Sequence, residues 1–193
     1  MLKTLLTGFI LALLLFSLIP IIVILLYNSL VAKKNQVEKA FGTIDVLLKK
    51  RSDLIPNLVA VAQNYMQYEK ETLTEIARLR SRAMSGRVTG KNRIDLENQI
   101  SKALGNIMVS LEAYPELKAN NHFIKLQDSL NEIEEQISAA RRFYNSAVTD
   151  YNNALEMFPT SLIASYMNYH QKTVFVATEQ ERQNVNVSNL FNQ

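Results

Sequence analysis

The strongest structural signal in the chain lies in residues 121–158, which read NHFIKLQDSLNEIEEQISAARRFYNSAVTDYNNALEMF. Apolar residues recur there at intervals of three and four through about five heptads, a spacing that places them on one face of an α-helix. A seam of this length needs other helices to cover it, so it predicts a helical bundle. The seam consists of Phe123, Leu126, Leu130, Ile133, Ile137, Ala140, Tyr144, Ala147, Tyr151, Ala154 and Phe158.

Shorter amphipathic stretches precede this seam and supply the helices that cover it. We predict a first helix that continues from the apolar N-terminus and ends at Pro56, a second over residues 54–84 and a third over residues 91–113. Gly86 and Gly90 mark the loop between the second and third helices. The predicted architecture is all-α, with an N-terminal transmembrane helix followed by an antiparallel four-helix bundle with long helices.

The N-terminal segment is apolar enough to cross a membrane. No charged residue lies between Lys3 and Lys33, and the stretch from Leu5 to Leu26 spans about 33 Å as a helix, close to the thickness of a bilayer core. Tyr27 follows at the place of an interfacial aromatic anchor. A cleaved signal peptide is the alternative, but its apolar core runs only about 7 to 15 residues and ends at a small-residue cleavage site. We therefore predict a retained anchor.

The charges that flank this segment favour a cytoplasmic C-terminal domain. Lys3 is the one charged side chain before it, whereas Lys33, Lys34 and Lys39 follow within the distance over which positive residues set orientation. The predicted organisation is an anchor, a bundle domain and a polar tail, over residues 1–27, 28–177 and 178–193.

The composition narrows the functional classes. The 193 residues include no cysteine, which excludes disulfides, thiolate zinc sites, iron–sulfur clusters, a cysteine nucleophile and a lipoprotein anchor. His122 and His170 are the only histidines, and neither belongs to a metal-binding motif. The sequence also lacks a G-x-S-x-G elbow and a P-loop. We therefore expect no catalysis and no cofactor.

One group of polar residues is placed where a buried cluster can form. Glu69 lies on the apolar face of the predicted second helix, where a carboxylate needs a partner. The candidate cations are Arg51, on the apolar face of the first helix, and Arg141 or Arg142. A buried pair that fixes helix register is the structural interpretation, and a ligand or proton site is the alternative. The candidate cluster comprises Arg51, Asp53, Asn57, Glu69, Arg141 and Arg142.

A basic run between Glu75 and Asp95 raises nucleic acid as a partner. Its cations have no aromatic residues interleaved with them, and the chain carries a net charge of only +3. We therefore expect no nucleic acid to bind and interpret the run as a solvated loop; anionic lipid headgroups are an alternative only if the loop faces the bilayer. The run contains Arg78, Arg80, Arg82, Arg87, Lys91 and Arg93.

Six segments, in this order, resemble the LemA family. They read YNSLV at 27–31, IDVLLKKRSDLIPNLV at 44–59, YEKETL at 68–73, YPELKAN at 114–120, ARRFYN at 140–145 and YN at 151–152. Phe41 replaces the tryptophan usual in the family, and the tail after Ala177 lies outside the resemblance. The resemblance implies a bacterial inner (plasma) membrane protein with one membrane helix, a short extracytoplasmic N-terminus and a cytoplasmic helical bundle.

Together these features favour a membrane-tethered helical scaffold or adaptor of the cell envelope that acts by binding proteins. The family resemblance suggests a membrane-embedded HtpX-type metalloprotease as a candidate partner. The alternative is an accessory protein of a hydrolase or transporter, with the polar cluster around Glu69 as its ligand site. The unbroken heptads of residues 121–158 and the strand-like runs at residues 174–176 and 185–188 lead us to expect homo-oligomers, formed through the side of the bundle and the tail.

Overall fold

The chain folds into helices joined by short connections. The computed structural model describes residues 2–86 and 90–175, and within these ranges it contains no strand, which confirms the all-α prediction. The strand-like run at 185–188 and the rest of the predicted polar tail lie outside the described residues. The elements are α1 (Leu2–Ala62), α2 (Lys70–Met84), α3 (Gly90–Ser110), a 3-10 turn (Leu111–Ala113), α4 (Pro115–Lys118), α5 (Asn121–Glu156) and α6 (Thr160–Tyr166).

The described residues form two compact units, and both α1 and α5 contribute to each unit. The first, which we call the N-terminal unit, contains residues 2–42 and 142–174. The second, which we call the bundle unit, contains residues 43–141 together with Phe175.

In the bundle unit, side-chain contacts fix the directions of the helices. Arg51 on α1 pairs with Glu134 on α5. Tyr65, just after α1, accepts a hydrogen bond from Asn120, just before α5, so these two helices are antiparallel. The turn over residues 63–69 reverses the chain from α1 into α2. The alternating directions agree with the predicted antiparallel bundle.

The third helix of the bundle unit runs parallel to the first. Arg93 on α3 pairs with Asp45 on α1. Further along both helices, Glu97 on α3 pairs with Arg51 on α1. This helix ends at Ser110 and is followed by the 3-10 turn, so it is shorter than the predicted 91–113.

The four long helical segments of the bundle unit enclose one apolar core. Burying large side chains from all four removes their surface from water and supplies most of the stabilisation. The core consists of Ile55, Leu58, Ala62, Met66, Leu73, Ile76, Leu79, Ala83, Leu96, Ile100, Ala103, Leu104, Ile107, Leu111, Leu117, Phe123 and Leu130.

Pro56 does not end α1, and the prediction that it would is wrong. Proline has no N–H, so the carbonyl of Ser52, four residues earlier, loses its helical donor. Arg80 on α2 takes that position, because its Nε donates to the Ser52 carbonyl oxygen at 2.7 Å. The helix therefore continues to Ala62, and the second helix begins at Lys70 rather than at residue 54.

In the N-terminal unit, α1 and α5 are also antiparallel. The ring centroids of Phe41 on α1 and Tyr144 on α5 lie 5.9 Å apart. Earlier on α1, Lys34 lies over the ring of Tyr169, which in turn lies 6.5 Å from the ring of Tyr151, later on α5. The predicted α5 seam faces inward, with most members buried, Leu126 and Ile133 half-buried, and Phe158 exposed just beyond the end of the helix.

Candidate functional site

The most buried polar group of the described chain is the guanidinium of Arg51, which is 0% exposed in the bundle unit. Its Nη2 lies 2.6 Å from Oε2 of Glu97, itself 1% exposed, and its Nη1 lies 2.6 Å from Oε1 of Glu134. The same Nη1 donates to the Ser101 hydroxyl at 2.7 Å. Three helices, α1, α3 and α5, thus meet at one buried cation.

A second arginine extends this ion network toward solvent. Arg93 donates from Nε to Oε1 of Glu97 at 2.8 Å and lies 3.3 Å from Asp45. The network sets two guanidinium groups against three carboxylates. Because both terminal nitrogens of Arg51 already have partners, the arrangement is suited to locking helix register rather than to binding a small ligand.

Glu69 does not occupy the position that the sequence predicts for it. It immediately precedes α2 and is half-buried, and its carboxylate accepts a hydrogen bond from the Thr72 hydroxyl at 3.3 Å. The carboxylates that pair with Arg51 are those of Glu97 and Glu134 instead. Arg51 was one of three candidate cations for Glu69, and that candidate is wrong, because the turn over residues 63–69 places Glu69 at the start of a helix.

The structure gives the other members of the predicted cluster different surroundings. Asp53 is exposed and pairs with Lys49 at 2.8 Å on the surface of α1. Asn57 and Arg142 are exposed. Arg141 is half-buried, and its guanidinium lies 5.4 Å from the ring centroid of Phe175.

Sequence reasoning missed Glu97, Glu134 and Ser101 as members of the network. Each lies beside the apolar stripe of its helix, where Leu96 precedes Glu97 and Ile133 precedes Glu134. An acid at such a border position also fits an ordinary solvated face, so the pattern alone does not mark it. Arg93, four residues before Glu97, was the available signal, since that spacing favours an ion pair.

The basic run is not one solvated patch. Arg78 forms an exposed pair with Glu75 at 2.7 Å, and this hydrogen bond holds the pKa of the Glu75 carboxyl below its ordinary value. Arg80 bonds to Ser52, and Arg93 belongs to the Arg51 network. Residue 87 lies outside the described residues.

The N-terminal unit contains a tyrosine cluster on α5. The Tyr144 hydroxyl donates to the carbonyl of Thr173 at 3.1 Å, and the side-chain amide of Asn152 exchanges two hydrogen bonds of 2.9 Å with the backbone of Lys172. These bonds hold residues 172–173 along the helix. Tyr144 and Tyr151 are 8% and 1% exposed and serve as core residues, and this burial raises the pKa values of both phenols.

The described part of the chain offers no metal site by residue type. Across residues 2–86 and 90–175, no group of three or more His, Asp or Glu side chains lies close enough to hold a metal ion. His122 and His170 are both exposed.

The apolar part of α1 presents its side chains outward. Every side chain described between Leu6 and Tyr27 is exposed apart from Leu26, which is half-buried; Phe16, for example, is 76% exposed. Burial begins at Leu30, which is 1% exposed. One helix of the described chain, α1, is long and apolar enough to cross a membrane.

These features define a helical-bundle protein with an uncovered apolar N-terminal helix. The chain belongs to the LemA family, whose family model matches residues 40–189. This match confirms the resemblance seen in the six sequence segments. It also extends into the tail after Ala177, which lay outside that resemblance. Family membership and the apolar helix together indicate a membrane-associated helical protein.

Individual relatives carry two different names. The chain is 28% identical over 165 residues to Protein LemA of Metamycoplasma hominis, covering 86% of this chain and 75% of that protein. It is 23% identical over 186 residues to Magnetosome protein MamQ of Magnetospirillum gryphiswaldense, covering 82% and 68% of the two chains. Magnetosome protein MamQ 2 of Paramagnetospirillum magneticum is 21% identical over 174 residues, covering 77% of this chain and 64% of that protein.

Proposed function

We propose that this chain is a membrane-anchored helical scaffold or adaptor of the bacterial cell envelope, which acts by binding proteins and performs no chemistry itself. The observation that carries the proposal is the uncovered apolar segment of α1, which continues without a break into the bundle unit. An apolar anchor followed along the chain by a closed helical core is the design of a tethered binding module.

The exposed apolar segment is too large for a surface in water. Soluble monomers rarely expose contiguous apolar patches of more than a few hundred square ångströms. Residues 6–27 span about 33 Å as a helix, which matches the hydrocarbon thickness of a bilayer. A lipid bilayer suits this segment, because lipid covers its apolar side chains and its backbone polar groups are already hydrogen-bonded within the helix.

The bundle unit supports binding rather than catalysis. Its buried ionic groups are occupied by one another in the Arg51 network, so they are suited to stability. Protein partners would then be bound through exposed apolar side chains, which are Val46 and Val109 in the bundle unit or Phe143 in the N-terminal unit. The proposed partner is an HtpX-type membrane protease, the proposed side is the cytoplasmic one, and homo-oligomers are part of the same proposal.

The anchor is tested by replacing two exposed side chains near its centre. We expect Phe16→Arg with Ile19→Arg to move the protein from the carbonate-washed membrane pellet into the soluble fraction, because each arginine costs about 2.5–3.5 kcal/mol at the centre of a membrane helix. The matched control is Val46→Arg with Phe143→Arg, also two exposed apolar positions, which should stay in the pellet. Wild-type protein in the soluble fraction would refute the anchor.

The partner is tested by photo-cross-linking in membranes that contain both proteins. A photoreactive residue at Phe143, which is 51% exposed, should capture the protease, because large apolar side chains dominate binding surfaces. A probe at Asp150, exposed on α5 two turns later, is the control. If probes at Phe143, Val46 and Val109 all fail to capture the protease, the proposed partnership is wrong.

A further inference from the structure

The junction of α5 and α6 is an exposed corner without charge. Residues 157–169 contain no Asp, Glu, Lys or Arg, although charged residues make up 20% of the chain. Ala164 packs α6 inward at 3% exposure, whereas four large side chains of the corner are exposed. They are Met157 at 64%, Phe158 at 80%, Leu162 at 65% and Tyr166 at 91% exposed.

This corner lies at the level of Tyr27 on α1, within the N-terminal unit. Phe41 and Tyr144 contact each other on the antiparallel helices α1 and α5. Tyr27 lies fourteen residues before Phe41 on α1, and Phe158 lies fourteen residues after Tyr144. The first step amounts to about 21 Å at the rise of an α-helix, and the second is close to it, because only its last two residues lie beyond the end of α5. Phe158 therefore comes level with the residue where the exposed apolar segment of α1 ends.

The charges of the two elements stop within about two helical turns of this level. On α1, the first charged residues after the apolar segment are Lys33 and Lys34. On α5, the last charged residue is Glu156, which accepts a hydrogen bond from Gln171 at 2.5 Å. Between Lys3 and Lys33 on α1, and over residues 157–169 after α5, the sequence contains no charged residue. Two independent segments thus change from charged to apolar within about 6 Å of each other along the helix axis, as elements do at a bilayer surface.

We propose that this corner is a second membrane contact, which inserts its apolar and aromatic side chains into the interface of the bilayer that holds α1. The inference rests on the proposed anchoring of α1. Aromatic residues favour this region of a bilayer, and an exposed apolar corner without charges gains from leaving water. With two points of contact, the N-terminal unit is held against the membrane in one orientation instead of swivelling on a single helix.

The absence of tryptophan from the chain permits a background-free test. Single tryptophans are placed at Phe158 and, in a second variant, at Tyr166, where high exposure makes the change harmless to packing. The full chain is reconstituted into vesicles of phosphatidylglycerol and acyl-brominated phosphatidylcholine, whose bromines quench tryptophan on contact. Phe16→Trp reports on the anchor. Phe143→Trp is the control, about 22 Å further along α5 from Phe158.

The expected result is quenching of the Phe158→Trp and Tyr166→Trp variants at least about twofold stronger than that of Phe143→Trp, with Phe16→Trp quenched as well. If Phe16→Trp is quenched while both corner probes match Phe143→Trp, the corner proposal is wrong and the anchor stands. A blue-shifted but unquenched corner probe would show that a protein surface or a second copy covers the corner, which also overturns the proposal. Failure of Phe16→Trp itself refutes the anchor.

Discussion

Replacing Arg51 with methionine is expected to destabilise the bundle unit by about 3–5 kcal/mol. Methionine fits a similar volume but leaves Glu97, 1% exposed, with an uncompensated part of its charge in the core. Glu97 keeps its pair with Arg93, and Glu134 keeps some access to water. The expected loss of stability therefore comes mainly from the Glu97 oxygen that faced Arg51. The measurement is the free energy of unfolding from chemical denaturation in mild detergent, followed by far-UV circular dichroism.

Two further variants separate the buried charge from a mere loss of packing. Arg51→Met combined with Glu97→Gln and Glu134→Gln should recover part of the lost stability, because it removes the stranded carboxylates. Lys49→Met breaks an exposed pair with Asp53 on the same helix and should cost less than about 1 kcal/mol. If Arg51→Met costs no more than Lys49→Met, the network does not stabilise the bundle.

Phe123→Ala should also cost about 3–5 kcal/mol, because Phe123 is 0% exposed in the core of the bundle unit and its removal leaves a cavity. Phe143 provides a control with the same chemical change on the same helix. It is 51% exposed, so Phe143→Ala should alter the free energy of unfolding by about 0.5 kcal/mol or less. Equal losses for the two variants would contradict the assignment of the inward face of α5.

The inward face of α5 was predictable because its periodicity is long and unbroken. Apolar residues at three- and four-residue intervals have one consistent helical interpretation, and no proline or glycine interrupts residues 121–158. The structure buries Leu130, Ile137 and Tyr151 accordingly. Length made this prediction safe, since an error of a residue or two at either end leaves the face unchanged.

The end of α1 and the partner of Arg51 were not predictable in the same way. Both depend on residues distant in sequence: Arg80 lies 28 positions after Ser52, and Glu97 lies 46 positions after Arg51. A local rule treats Pro56 as a helix end because it cannot include a donor from another helix. Likewise, the sequence pattern places Glu69 on the apolar face of a helix. The turn over residues 63–69 instead places it at the start of α2, and a periodic pattern does not reveal that turn.

The hydrogen bond from Arg80 to Ser52 affects the order in which the helices form during synthesis. During synthesis, the N-terminal part of α1 can become helical with its own backbone bonds. At Pro56 the Ser52 carbonyl stays open until residue 80 has been made and α2 has packed alongside. The last turns of α1, although continuous with the apolar segment, therefore reach their final form together with the second helix, after the N-terminal part has left the ribosome.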